Sequence, residues 1–95
     1  MYIVSVKLTF YIPHSVSLKD KRQVRRSLIE KTRQKFNASI AEVDTQDLLQ
    51  TLTIGVAVVS GDSNHAKQSI DEIVRFMDER AEAEHSTELT AEEII

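Results

Sequence analysis

The sequence predicts an α+β domain of order β-α-β-β-α-β, and three observations carry that expectation. Tyr2 to Ile12 alternates apolar and polar residues with a period of two, as does Leu52 to Val59. Two stretches, from Leu18 and from about Ser63, repeat apolar residues at helical spacing. The short stretch between the first helix and the second long strand, and the tail after the second helix, are each extended enough to supply a further strand.

In the first strand Val4, Val6, Leu8, Phe10 and Ile12 form the apolar set, and Ser5, Lys7, Thr9 and Tyr11 the opposite one. Pro13 ends the strand because it has no N–H to donate to a ladder. The first helix is expected from about Leu18 to Phe36. Ser17 is placed to cap it, and Asp20 to reach back to the Ser17 N–H while complementing the helix dipole. Val24, Leu28, Thr32 and Phe36 form the buried stripe, widened by Leu18 and Ile29, and Asn37 is the expected left-handed stop. Lys19, Arg22, Arg26 and Arg33 share the far sector. Arg25 lies at the edge of the stripe, where its stem packs and its guanidinium reaches outward or finds a carboxylate.

Ala38 to Val43 reads as a short edge strand and Asp44 to Gln50 as a polar turn. In Leu52 to Val59, Gly55 signals a bulge or a close approach by another group, in most cases a packing accommodation. Asp62 or Ser63 is suited to cap the second helix. That helix is expected to bury Ala66, Ile70, Ile73, Val74, Met77 and Ala81 and to end near Ala83 or Glu84. Thr90-Ala91-Glu92-Glu93 has the local look of a helix cap, yet Thr87 to Ile95 also alternates as a strand. Topology favours the strand, which would cover an open sheet edge.

That order is the ferredoxin-like split βαβ plan: one domain over residues 1–95, a four-stranded antiparallel sheet with two helices on one face. The plan gathers the loop after the first strand, the turn after the second and the link after the second helix at one end of the sheet. The start of the basic helix should therefore meet Asp44 and Asp47 there, near His14.

The formal net charge of −3 conceals a polar layout. Residues 1–37 carry nine Lys/Arg against two carboxylates, and residues 62–95 carry three against ten. Such polarity suits a charged partner, and equally two helices with solvated faces of opposite sign. There is no Cys, which excludes disulfides and thiolate metal sites. The N-terminus lacks the pattern of a signal peptide, and the longest apolar run, Ile54 to Val59, is too short for a bilayer. A cytoplasmic protein without membrane contact is the simplest expectation.

The residues Ser17 to Arg22, Phe36 to Asp44, Gln46 to Gln50 and Ile54 to Ser60 together resemble the YlxP-like family of small bacterial proteins, over nearly the whole chain up to Met77. The resemblance implies a ferredoxin-like domain of unknown function. Family genes often neighbour those for translation initiation, transcription elongation and ribosome maturation, which implies a cytoplasmic role near RNA or the ribosome. It supplies no catalytic residues. The family often has an aromatic where Leu49 stands and a basic residue where Thr51 stands, so any contact made by those residues is in doubt in this chain.

Two functions follow as alternatives. One is an RNA- or ribosome-associated module contacting phosphates of ribosomal RNA through Lys19, Lys21, Arg22, Arg26 and Arg33, or binding ribosome-associated factors. The other is a homodimeric or protein-interaction module using the open sheet face at Lys7, Thr9, Tyr11, Thr53 and Ala57. That face has one aromatic on its two central strands, so stacking of bases on the sheet is not expected. An enzyme is disfavoured. The loop before the first helix has no glycine anion cradle, and His14, His65 and His85 are dispersed without metal-ligand spacing. His14, Asp44 and Asp47 form the one loop-end cluster worth locating, and Glu42 could join the two carboxylates near Lys21 and His14, an arrangement that structural salt bridges explain equally well. No cofactor, metal or small-molecule ligand is expected.

Overall fold

The computed structural model describes residues 1–81 and 84–94, with side chains as far as Ala81. The elements are β1 (Tyr2–Tyr11), α1 (Leu18–Lys35), β2 (Ser39–Asp44), β3 (Thr51–Ser60), α2 (Ser63–Ala81) and β4 (Glu84–Ile94). β2, β3 and β1 form a three-stranded antiparallel sheet. β4 lies along the far side of β1, giving the strand order β2-β3-β1-β4. Pairing of β1 with β3 runs unbroken from Tyr2↔Ser60 to Tyr11↔Thr51.

This register puts the apolar sets of the two long strands on one face. Val4, Val6, Leu8 and Phe10 join Leu52, Ile54, Val56 and Val58 in the core. Ile12 extends the set and donates its N–H to Gln50 O at 2.9 Å. Leu28 and Ile29 of α1 and Ala66, Ile70, Ile73, Phe76 and Met77 of α2 close over that face. Phe76 goes beyond the expected helix stripe, and Val74 and Ala81 are only partly buried. Phe36 meets the Phe76 ring edge-on at 5.5 Å between centroids, and Lys35 and Arg80 each stand 4.9 Å from the Phe76 ring centre.

Several local expectations are corrected. Ser17 caps α1 through Asp20 N at 3.1 Å, but Asp20 Oδ2 accepts from Val16 N at 3.1 Å rather than from Ser17. The carboxylate thus ties the incoming loop one residue further out. Leu18, assigned to the buried stripe, is 47% exposed, and Lys21 is buried in that sector. α1 ends at Lys35 on an extended Phe36, and Asn37 does not take a left-handed conformation. Phe36 N closes the last turn onto Thr32 O, so no left-handed residue is needed. The cap of α2 is one of the two expected residues, Asp62, whose Oδ1 accepts from Asn64 N at 2.8 Å and His65 N at 3.2 Å. β4 slips register by one between the partners of Ser5 and Val6, so a single alternation does not hold along it. Of the expected helix ends, Glu84 instead opens β4, so the helix stops before it, while Ala83 and the expected strand residue Ile95 lie outside the described residues.

Gly55 has a specific neighbour. β2 bulges between Glu42 and Asp44, so Val43 has no partner in the ladder. A Cβ on Gly55 would stand 2.7 Å from Val43 Cγ1. Because valine is stiff at χ1, it cannot swing aside freely. Gly55→Ala is expected to cost about 1–3 kcal/mol as an overpacking substitution. In a Val43→Ala background the same change should be neutral or stabilising by up to about 1 kcal/mol, since Ala is favoured over Gly inside strands. Urea unfolding of the four proteins checks this, and an equal cost in both backgrounds would contradict it.

Candidate functional site

α1 presents two different cationic surfaces, and their positions follow from helical spacing. Lys21 lies seven residues before Leu28 and eleven before Thr32, so all three fall on the buried side. At 3% exposure the Lys21 ammonium has little access to water. Its three N–H groups need three acceptors. It donates to Thr45 O at 2.5 Å and Leu48 O at 2.6 Å, and stands 3.2 Å from Glu42 Oε2. That carboxylate oxygen is buried with no hydrogen-bond partner, so the ion pair with Lys21 is what offsets its burial. Arg25 Nη1 meets the other oxygen, Glu42 Oε1, at 3.1 Å.

The acceptors of Lys21 belong to the β2–β3 turn. Thr45 has φ 60°, a left-handed conformation disfavoured for a β-branched residue. Its surroundings hold it there. Thr45 N donates to Asp44 Oδ1 at 2.8 Å, and Leu48 N closes the turn onto Thr45 O at 3.0 Å. Thr45 Oγ1 shares a hydrogen bond with Thr53 Oγ1 at 2.9 Å. An open groove beside this assembly is lined by Leu18, Arg22, Arg25, Gln46, Asp47 and Leu49.

The outer face of α1 is different. Lys19, Arg22, Arg26 and Lys31 are exposed, and among the described residues none pairs with a carboxylate. They line one open depression along the helix, in which Glu30 is the one carboxylate among the described residues. Arg33 is exposed but donates through Nη2 to Ile40 O of β2.

Of the five expected phosphate contacts, the structure therefore leaves Lys19, Arg22 and Arg26 together on the surface. Lys21 is withdrawn into the interior because its helical position faces the turn, and Arg33 is tied in part to β2. The anticipated meeting of helix and carboxylates occurs, but Glu42 is the partner rather than Asp44 or Asp47. His14, Asp44 and Asp47 are all exposed, and no hydrogen bond or ion pair joins them among the described residues. On the open sheet face Tyr11 is exposed, Lys7, Thr9 and Ala57 are half-buried, and Thr53 is buried beneath Thr9 and Thr45. Ser60 and His65 share a hydrogen bond at 3.2 Å (Oγ to Nδ1) that sequence reading did not foresee. It sits among the caps of α2, where Ser60 Oγ also accepts from Asp62 N.

The architecture is that of ferredoxin-like α+β proteins. A de novo designed protein with a ferredoxin fold aligns at a TM-score of 0.66 and 17% identity, over 96% of this chain and 87% of its own. A dimeric ferredoxin-like protein from an uncultured marine organism aligns more loosely, at a TM-score of 0.49 and 10% identity over 99% of this chain and 100% of its own. The chain belongs to the family described as Protein of unknown function (DUF503), whose model matches residues 3–89. Uncharacterized protein YlxP of Bacillus subtilis (strain 168) is 33% identical over 70 residues, 74% of this chain and 76% of the relative. Among the described residues no helix is long and apolar enough to cross a membrane.

Removing one member of a buried ion pair strands the other, at a cost of about 3–5 kcal/mol. Lys21→Ala should fall near the lower end, because Arg25 still faces Glu42. Glu42→Gln should cost about 3 kcal/mol or more, since it leaves the buried Lys21 ammonium without its counter-charge. Chemical denaturation measures both, and a Lys21→Ala protein as stable as the parent would refute the assignment.

Proposed function

We propose that the chain is a non-enzymatic binding module that holds RNA by its phosphates through the outer face of α1. The observation that carries this reading is the division of cations on one helix. Lys21 and Arg25 are consumed by Glu42 and the turn, whereas Lys19, Arg22, Arg26 and Lys31 stand together without carboxylate partners among the described residues. On α2 the exposed carboxylates Asp71, Glu72, Asp78 and Glu79 stand among the exposed cations Lys67, Arg75 and Arg80, so α2 offers a polyanion no comparable attraction. With no aromatic on the outer face of α1, contacts to the backbone would position RNA without reading its sequence. The family's gene context supports ribosomal RNA or a ribosome-associated factor as the place to look, and implies a cytoplasmic protein.

A second reading, a homodimer through the open sheet face, is favoured by exposed apolar side chains there: Tyr11 at 51%, Val43 at 49% and Val59 at 62%. Light scattering across a concentration series decides it. A dimer disrupted by Val59→Glu supports it, and a monomer at high micromolar concentration ends it.

For RNA, binding of ribosomal RNA fragments across a salt series is the direct measurement. Four phosphate contacts on single strands would give a log–log slope near −3, at about −0.7 per contact. Arg22→Glu with Arg26→Glu should abolish binding while leaving the fold intact, because both side chains are exposed. Absence of binding by the wild type at low salt would remove the reading.

A further inference from the structure

We infer that the RNA form this surface fits is an A-form duplex, engaged across its minor groove; the inference rests on the phosphate-binding reading above. It comes from how charge is distributed within the face. At about 100° per residue, Arg22, Arg26 and Lys19 fall along one margin of the exposed sector of α1, and Lys31 falls at the other. Between those margins run Gln23, Ser27, Glu30 and Gln34, all exposed and lining the same depression. A strip of uncharged amides, a hydroxyl and one carboxylate is thus bordered by cations on both sides.

That order matches one nucleic-acid surface. The A-form minor groove is wide and shallow, displays 2′-hydroxyls, and is bordered by the phosphates of both strands. The bordering cations meet phosphates, and the central strip meets hydroxyls. Gln23, Gln34 and Ser27 donate or accept there, and Glu30 accepts a 2′-OH, whereas it would repel a phosphate. From Lys19 to Gln34 the strip runs about 22 Å at 1.5 Å per residue.

Single-stranded RNA is the poorer match, because such sites stack bases on aromatic rings and this strip has none. DNA is also the poorer match. Its minor groove is about 6 Å wide and lacks the hydroxyls, and its major groove takes a helix inserted about 8.5 Å deep. α1 lies beside α2 over one sheet face, so it offers a broad side to a shallow groove rather than a helix standing clear of the domain.

The test is fluorescence anisotropy of the full chain with a duplex RNA, a duplex DNA of the same sequence and an oligouridine of equal length. Duplex RNA should bind at least about tenfold more tightly than either competitor. Gln23→Ala, Ser27→Ala and Gln34→Ala combined should erase that preference while leaving the salt slope unchanged, since no cation is lost. Alanine is favoured at exposed helix positions, and circular dichroism verifies the fold. Equal affinity for oligouridine or DNA, or a preference that survives in the triple variant, overturns the duplex inference and leaves phosphate binding standing. No binding to any of the three, with an intact fold, overturns both.

Discussion

A lysine ammonium shut away from water is tolerable only if acceptors and a counter-charge replace its hydration, and the domain meets that demand at Lys21 with two backbone carbonyls and the Glu42 carboxylate. The acceptors come from β2 and from the turn that follows it, 21 to 27 residues along the chain. One side chain therefore fixes how the helix sits over the hairpin. It also holds a threonine in a backbone conformation that threonine avoids, because the carbonyl of Thr45 is one of the groups it requires. The buried carboxylate of Glu42 is the counterpart of this arrangement, with Arg25 closing its remaining side.

The same helix serves two ends by dividing its circumference. Cations on the inner side have their charge neutralised within the fold, and cations on the outer side keep theirs for whatever meets the surface. Cations and carboxylates are nearly balanced on α2, so the unpaired positive charge of the helices is concentrated on the outer side of α1. Counting Lys and Arg over the first 37 residues overstates the available positive charge, because Lys21 and Arg25 are held inward by Glu42, which cancels one of their two charges.

The long strands were legible because alternation over ten residues has one reading when a single face is buried, and because β1 and β3 pair without interruption. The helices were legible from spacing and caps. The site was less so. Lys21 shares a helical sector with Leu28 and Thr32, a signal present in the spacing, yet a lysine within a run of basic residues reads as solvent-facing. Its true partner, Glu42, lies on a strand too short to show which way its residues point, and Val43 adds a bulge that resets the alternation beyond it. The left-handed Thr45 leaves no mark in composition, since glycine or asparagine is what that conformation normally selects. Phe76 was missed because an aromatic three residues after Ile73 can lie at either edge of the apolar stripe.

The contact between Val43 and the bare α-carbon of Gly55 also bears on how this chain is able to drift. A side chain at position 55 is admissible only after position 43 has shrunk, whereas position 43 is able to shrink while position 55 remains glycine. The two changes are thus permitted in one order and obstructed in the other. A lineage that has lost the valine is able to gain strand propensity at position 55, and once it has done so the return of valine is blocked.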